Sequence, residues 1–195
     1  MERADLFACR RCGECCRGEM RVFLNPRDLV LIANYFNFNS TEALFSKGYV
    51  IIDSARGGAP LPRIRFRKGI MEFCPFLENT VDDQGILSGK CLLHPEYKPL
   101  VCTLAPLSRE VDLDAGEESW EIRPPLPGCT GRGLAEQPSG KADIGFEPLI
   151  RARLDEETEF FRALSTMLEE KLSETEIIRR LYHIRTENCI HSERT

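Results

Sequence analysis

Two periodicities organise the apolar positions of this chain. The segment Arg63-Ile64-Arg65-Phe66-Arg67 alternates strictly, which predicts a strand with its arginines on one face and Ile64 and Phe66 turned to the core. Leu29, Ile32, Ala33 and Phe36 recur instead at helical spacing. Ahead of them Asn25-Pro26-Arg27-Asp28 supplies an N-cap, a first-turn proline and an acid at the positive end of a helix. A second short helix is expected to start around Asn39 to Thr41 and to run to Lys47, with Ala43, Leu44 and Phe45 as its apolar content and Gly48 as its stop. Further on, Ile150, Leu154, Phe161, Leu164, Leu168 and Leu172 return at threes, fours and sevens. Ser173-Glu174-Thr175-Glu176 then has the capping-box pattern and opens a last helix bearing Ile177, Ile178, Leu181 and Tyr182. Stripes of this kind are ordinarily buried, so they are assigned to core packing.

Shorter signals fill the middle. Asp82-Asp83-Gln84-Gly85 marks a turn between Cys74-Pro75-Phe76-Leu77 and Ile86-Leu87. Trp120-Glu121-Ile122-Arg123 reads as a strand ended by Pro124-Pro125, and residues 128–143, rich in Gly, Pro and polar side chains, read as a surface loop. The expected class is α+β: a small irregular cysteine-rich metal-binding core with short strands, N-terminal helices and a C-terminal helical pair. Residues 1–145 are expected to form the cysteine-rich part, and residues 146–195 a helical extension packed on the same core. No internal repeat is present.

Composition narrows the class. A chain of 195 residues with 42% hydrophobic content can bury a core without disulfide staples. Met1 to Leu6 lack the apolar run of a secretory signal, and no stretch approaches a membrane span, so a cytoplasmic location is expected, with no membrane partner. The net charge of −5 argues against a protein built to grip nucleic acid. Charge is uneven, however: from Arg56 to Lys68 there are four arginines, one lysine and no acid. By itself such a stretch reads as a solvated strand face.

The chemistry lies in the cysteines. Four of nine fall within eight residues, in Cys9-Arg10-Arg11-Cys12-Gly13-Glu14-Cys15-Cys16. Thiols this close suit a metal or cluster better than disulfides, and reducing surroundings favour the same reading. Cys-x2-Cys-x2-Cys is the spacing of bacterial iron–sulfur sites, and Cys74 precedes a proline as the last cysteine of those runs does. Cys91 and Cys102 bracket a segment that two prolines keep from forming one helix, and Cys129 follows the turn signal Pro127-Gly128. Cys189, alone near the C-terminus, reads as a small apolar residue. His94, in His94-Pro95, is assigned a structural role, and His183 and His191 none. The acidic runs Glu117-Glu118 and Asp155-Glu156-Glu157 read as solvated surface.

With these residues the chain resembles the zinc- or iron-chelating domain family, whose signature is Cys-x-x-Cys-x-x-Cys-Cys. The resemblance continues through Cys74-Pro75-Phe76-Leu77, Cys91 and Lys98-Pro99-Leu100-Val101-Cys102, and covers residues 9–129. It implies eight ligating cysteines: Cys9, Cys12, Cys15, Cys16, Cys74, Cys91, Cys102 and Cys129. The chain departs from the family pattern at Thr103-Leu104-Ala105-Pro106 and at His94.

Eight thiolates exceed the four that one tetrahedral ion or one cubane needs. Neighbours such as Cys15 and Cys16 are expected to project apart and to serve different ions. Two sites, or one site with reserve cysteines, remain open. The spacing points first to a [4Fe–4S] cluster and second to Zn2+, since soft thiolates accept both.

No dinucleotide fingerprint, phosphate-binding loop or nucleophile elbow occurs. Three functions follow. The first is a metal or iron–sulfur carrier, redox module or regulator that acts on a protein partner and is not an enzyme on its own. The second is a structural zinc adaptor whose Arg63, Arg65 and Arg67 face an acidic or phosphate-bearing partner. The third is part of an S-adenosylmethionine-dependent protein lysine methylation system, because flagellin lysine-N-methylases, which are longer, share a similar cysteine signature.

Overall fold

A computed structural model of the chain describes residues 12–17, 20–54, 58–69, 72–81, 83–85, 87–123, 129 and 145–186. Helices and small antiparallel sheets share the fold, as the α+β reading requires. After a 3-10 turn, Glu14–Cys16, come helices α1 (Pro26–Tyr35) and α2 (Glu42–Ser46). Three hairpins follow: β1 (Val50–Ser54) with β2 (Pro60–Ile64), β3 (Leu77–Val81) with β4 (Leu87–Cys91), and β5 (Leu107–Asp112) with β6 (Glu117–Ile122). Helix α3 (Leu100–Leu104) sits between the second and third hairpins, and α4 (Pro148–Glu169) and α5 (Glu174–Leu181) close the described chain.

Local chemistry accounts for the helix starts. Asn25 caps α1, its side chain accepting from Asp28 N at 2.9 Å while the Asp28 carboxylate accepts from Asn25 N at 3.3 Å. Ser173 caps α5 by accepting from Glu176 N at 3.3 Å. Both starts match the sequence signals. The alternating segment is displaced. Strand β2 ends at Ile64, but Arg65 N still donates to Tyr49 O at 2.8 Å, and Arg67 pairs with Phe73. Alternation persists through it: Ile64 and Phe66 are buried, while Arg65 and Arg67 are exposed.

Two buried clusters result. The larger joins Leu29 and Ile32 of α1, Leu44 of α2, Val50, Ile64, Phe76, Phe160, Leu164, Ile177 and Tyr182. The smaller joins Leu100 and Leu104 of α3 with Leu107, Trp120, Ile122 and Leu154. Helix α4 thus contributes to both. The long stripe differs from expectation at two positions: Phe160 is more deeply buried than Phe161, and Leu168 is 37% exposed. Met167 and Leu172 pack against the larger cluster, so Leu168 lies on the flank of the helix turned away from it. The predicted loop at 128–143 lies outside the described residues, Cys129 excepted.

Of the acidic runs, Glu117, Asp155 and Glu156 are exposed as expected, and Glu118 and Glu157 are engaged. Glu118 pairs with both Arg109 (2.8 Å) and Arg151 (2.8 Å), and Glu157, half-buried, accepts from Asn25 Nδ2 at 3.3 Å. Beside this network lies Asp28, buried under α3 and α4. Its carboxylate accepts from Leu100 N at 2.9 Å and from Arg153 Nη2 at 2.9 Å. Arg153 also donates to Lys98 O at 3.0 Å.

Burial pushes the Asp28 carboxyl up from its ordinary 3.8 to about 6, against the opposing pull of Leu100 N–H and Arg153. A carboxyl whose folded pKa is raised binds its proton more tightly in the native state. The resulting stability is complete below about pH 4 and is lost as pH rises through about 6. The difference between the two proton affinities is worth on the order of 3 kcal/mol. Asp28→Asn should therefore flatten the fall in unfolding free energy between about pH 4.5 and 7, measured by urea titration. An unchanged slope in the variant would contradict this account.

Candidate metal centre

Four separate segments bring the cysteines together. The 3-10 turn carries Cys15 and Cys16. Cys74 lies next to it, its N–H donating to Cys16 O at 2.8 Å. Cys91 ends β4 opposite Leu77, three residues beyond Cys74, and Cys102 lies within α3. Cys74 is buried in the larger core, and Cys16, Cys91 and Cys102 pack against the same cluster.

The first turn is held by a close backbone contact. Gly13, at φ +79°, lies against Gly89 of β4, where a Cβ would meet Gly13 Cα at 2.6 Å and Gly13 N at 2.9 Å. Only glycine tolerates that approach, and the positive φ at Gly13 adds a second reason for it. Arg17 reinforces the docking by donating to Glu14 Oε1 at 2.6 Å and to Asn79 Oδ1 of β3 at 2.8 Å. The hairpin β3–β4 therefore serves as a platform for the cysteine turn.

The sulfurs of Cys15 and Cys16 lie 3.9 Å apart. The expectation that these neighbours diverge is not met, because the tight 3-10 turn keeps both on one side of the chain. Two sulfurs on one tetrahedral ion, each about 2.3 Å from it, are about 3.8 Å apart, so this pair has the spacing of co-ligands.

Electrostatics link the rest. The hydrogen bond with Cys16, then burial, raise the Cys15 thiol pKa far above its usual range. At Cys16 the bond with Cys15 favours the thiolate, but the bond with Cys74, burial, and the neighbouring Cys74 and Cys91 outweigh it, and the thiol is pushed up to about 12. Burial raises Cys91 and, more strongly, Cys102; Cys15 and Cys16 also act on Cys102. The Lys98 ammonium opposes these shifts at Cys15, Cys91 and Cys102. Five thiols and one lysine thus share an electrostatic neighbourhood.

Cys12 and Cys129 are half-buried and engaged with their surroundings. Cys9 and Cys189 lie outside the described residues. Among the described residues no three His, Cys, Asp or Glu side chains stand in a ready metal-binding arrangement. His94 is exposed, and its backbone N–H donates to Cys91 O at 3.2 Å. Sequence reasoning missed Lys98 as a member of the site, although Lys98-Pro99 lies within the motif that ends at Cys102. It also missed Gly89, which no local pattern marks.

Comparison with protein-family models, with curated proteins and with solved structures gives no match. The family resemblance rests on the motif residues themselves. Among the described residues, no helix is long and apolar enough to cross a membrane.

Gly89→Ala should separate Gly13 from β4, lowering stability by about 1–3 kcal/mol, the usual cost of overpacking. It should also speed the reaction of Cys15 and Cys16 with a thiol reagent. Unchanged thiol kinetics in a destabilised variant would show that the turn does not depend on this contact.

Proposed function

We propose that this chain is a thiolate metal protein of the zinc- or iron-chelating domain type, acting as a carrier, redox module or regulator for a protein partner in the cytoplasm. One observation carries the reading: Cys16, Cys74, Cys91 and Cys102 come from four segments yet pack at one buried cluster, with the Cys15 sulfur 3.9 Å from that of Cys16. A core that needs only apolar packing has no reason to gather five sulfurs, and soft donors of this kind favour iron–sulfur clusters or zinc. Cys16, Cys74, Cys91 and Cys102, with Cys15 beside them, form the proposed primary ligand set. Cys9, Cys12 and Cys129 complete the eight, as ligands of a second site or as reserve thiols.

The Cys-x2-Cys-x2-Cys run and the later Cys74-Pro75 favour a [4Fe–4S] cluster. A cluster would supply one-electron chemistry, and the chain's part is to hold and partly shield it. A second reading, structural Zn2+, is favoured by the 3.9 Å between the Cys15 and Cys16 sulfurs, the spacing of two ligands on one ion. No described residue favours the methylation reading over these two.

Protein purified without oxygen and analysed for iron, sulfide, zinc and visible absorption separates the two metals. Iron with sulfide and a brown colour supports the cluster; stoichiometric zinc in a colourless protein supports the second reading. Cys16→Ser and Cys74→Ser should each lose most of the bound metal and melt several degrees lower, because site formation is coupled to folding. Cys189→Ser should keep its metal. Full occupancy in both of the first two variants would refute the ligand assignment.

A further inference from the structure

One face of the molecule gathers cations that hold no carboxylate among the described residues. Residues 22–24 extend the first hairpin: Ile64 N donates to Val22 O at 3.0 Å, Leu24 N donates to Pro62 O at 2.8 Å, and Phe23 pairs with Arg63. Val22, Leu24, Ile64 and Phe66 are buried beneath this surface. Arg21, Arg65 and Arg67 are exposed over it, and the exposed Lys68 follows Arg67 in the chain. Extended two residues beyond the pairing of Phe23 with Arg63, this register would set Arg21 across from Arg65. The Arg65 side chain reaches over Gly48, its Nη1 3.3 Å from where a Cβ would stand there, and Lys47 adjoins it, also exposed. Arg63, expected on this face, is neutralised by Asp53 at 2.6 Å.

Folding does not account for the cluster. Among the described residues eight arginines hold a carboxylate oxygen within 3.5 Å. Of the six that hold none, Arg21, Arg65 and Arg67 share this one face. Like charges directly across a strand pair oppose the pairing. A chain with 31 acids and 26 bases has carboxylates to spare, yet among the described residues none is paired with these arginines.

The face also adjoins the cysteines. Arg67 N donates to Phe73 O at 2.9 Å and Phe73 N to Arg67 O at 3.2 Å, one residue before Cys74. Phe73 pairs on its other side with Arg17, which follows Cys16.

We propose that Arg21, Arg65 and Arg67, with Lys68 next in the chain to Arg67 and Lys47 to Gly48, dock an extended acidic segment of a partner protein. Arg65 and Arg67 are two residues apart on the alternating segment that follows β2, and two residues of extended chain span about 6.6 Å, the spacing of alternate carboxylates along an extended peptide. Guanidinium groups bind carboxylates through paired charge-assisted hydrogen bonds. A nucleic acid fits less well: the aromatic rings of this face, Phe23 and Phe66, are half-buried and buried, which leaves no open platform for base stacking. The inference does not depend on the metal reading, and a segment docked here would lie beside Cys16 and Cys74.

The test titrates the full chain into a fluorescein-labelled peptide of alternating glutamate and serine, and separately into an oligouridylate of equal charge. Fluorescence anisotropy is read at about 20 and about 200 mM salt. The wild type should bind the peptide. Arg65→Glu and Arg67→Glu should each weaken binding roughly ten-fold, as should the higher salt. Arg179→Glu, on α5, should leave it unchanged, and circular dichroism should show all variants folded. Failure of the wild type to bind the peptide, or indifference to both substitutions, overturns the proposal. So does tighter binding of the oligouridylate through the same arginines, which would assign the face to nucleic acid. Metal content, measured on the same samples, judges the metal reading separately.

Discussion

The buried carboxylate of Asp28 sets the arrangement on which the rest of the structure depends. It closes the capping box of α1, receives the first N–H of α3 and pairs with Arg153 of α4. Three helices are fixed relative to one another by a single side chain. Burial raises its pKa, so the charged form is costly, and a buried ion pair contributes little net stability. What it supplies is placement. Helix α3 carries Cys102, and Arg153 also holds Lys98 O, so the segment from Lys98 to Cys102 is positioned from beneath by a charge network.

The cysteine neighbourhood is assembled by three kinds of contact. The turn at Cys15 and Cys16 is docked by glycine-to-glycine backbone approach and by Arg17 on Asn79. Cys74 is tied to it by a backbone hydrogen bond, and Cys91 follows from the register of β3 and β4. These supports are independent of any bound group, so the gathering of sulfurs is a property of the fold. Burial raises the pKa of the Cys15, Cys16, Cys91 and Cys102 thiols above the ordinary range.

The sequence made some of this legible. Caps and periodic stripes found α1, α2, α4 and α5 because local rules govern helix starts and amphipathic faces. Strand β6 was visible through Trp120 and Ile122, and the facing of Arg65 and Arg67 through simple alternation. Strands β1 and β5 were not, because Val50-Ile51-Ile52 is too short an apolar run to show a period, and Leu107–Asp112 depends on its partner strand. The cysteine set was readable as composition and spacing, but its convergence was not. Which thiols meet is fixed by the Gly13–Gly89 contact and by Asp28, both pairings between residues distant in sequence. The burial of Glu157 was hidden for the same reason, since its partners Asn25 and Arg109 come from elsewhere in the chain.

Helix α4 runs for 22 residues, about 33 Å, and is anchored in two places. Leu154 belongs to the smaller core with Trp120, while Phe160 and Leu164 belong to the larger one with Tyr182. A rod seated in both cores denies either of them independent melting. Loosening the third hairpin would release Leu154 and tilt the same helix whose Phe160 and Leu164 sit in the larger core. The chain is thereby built as one cooperative unit in which a disturbance at one end is transmitted as rigid-body motion, with α4 as the lever.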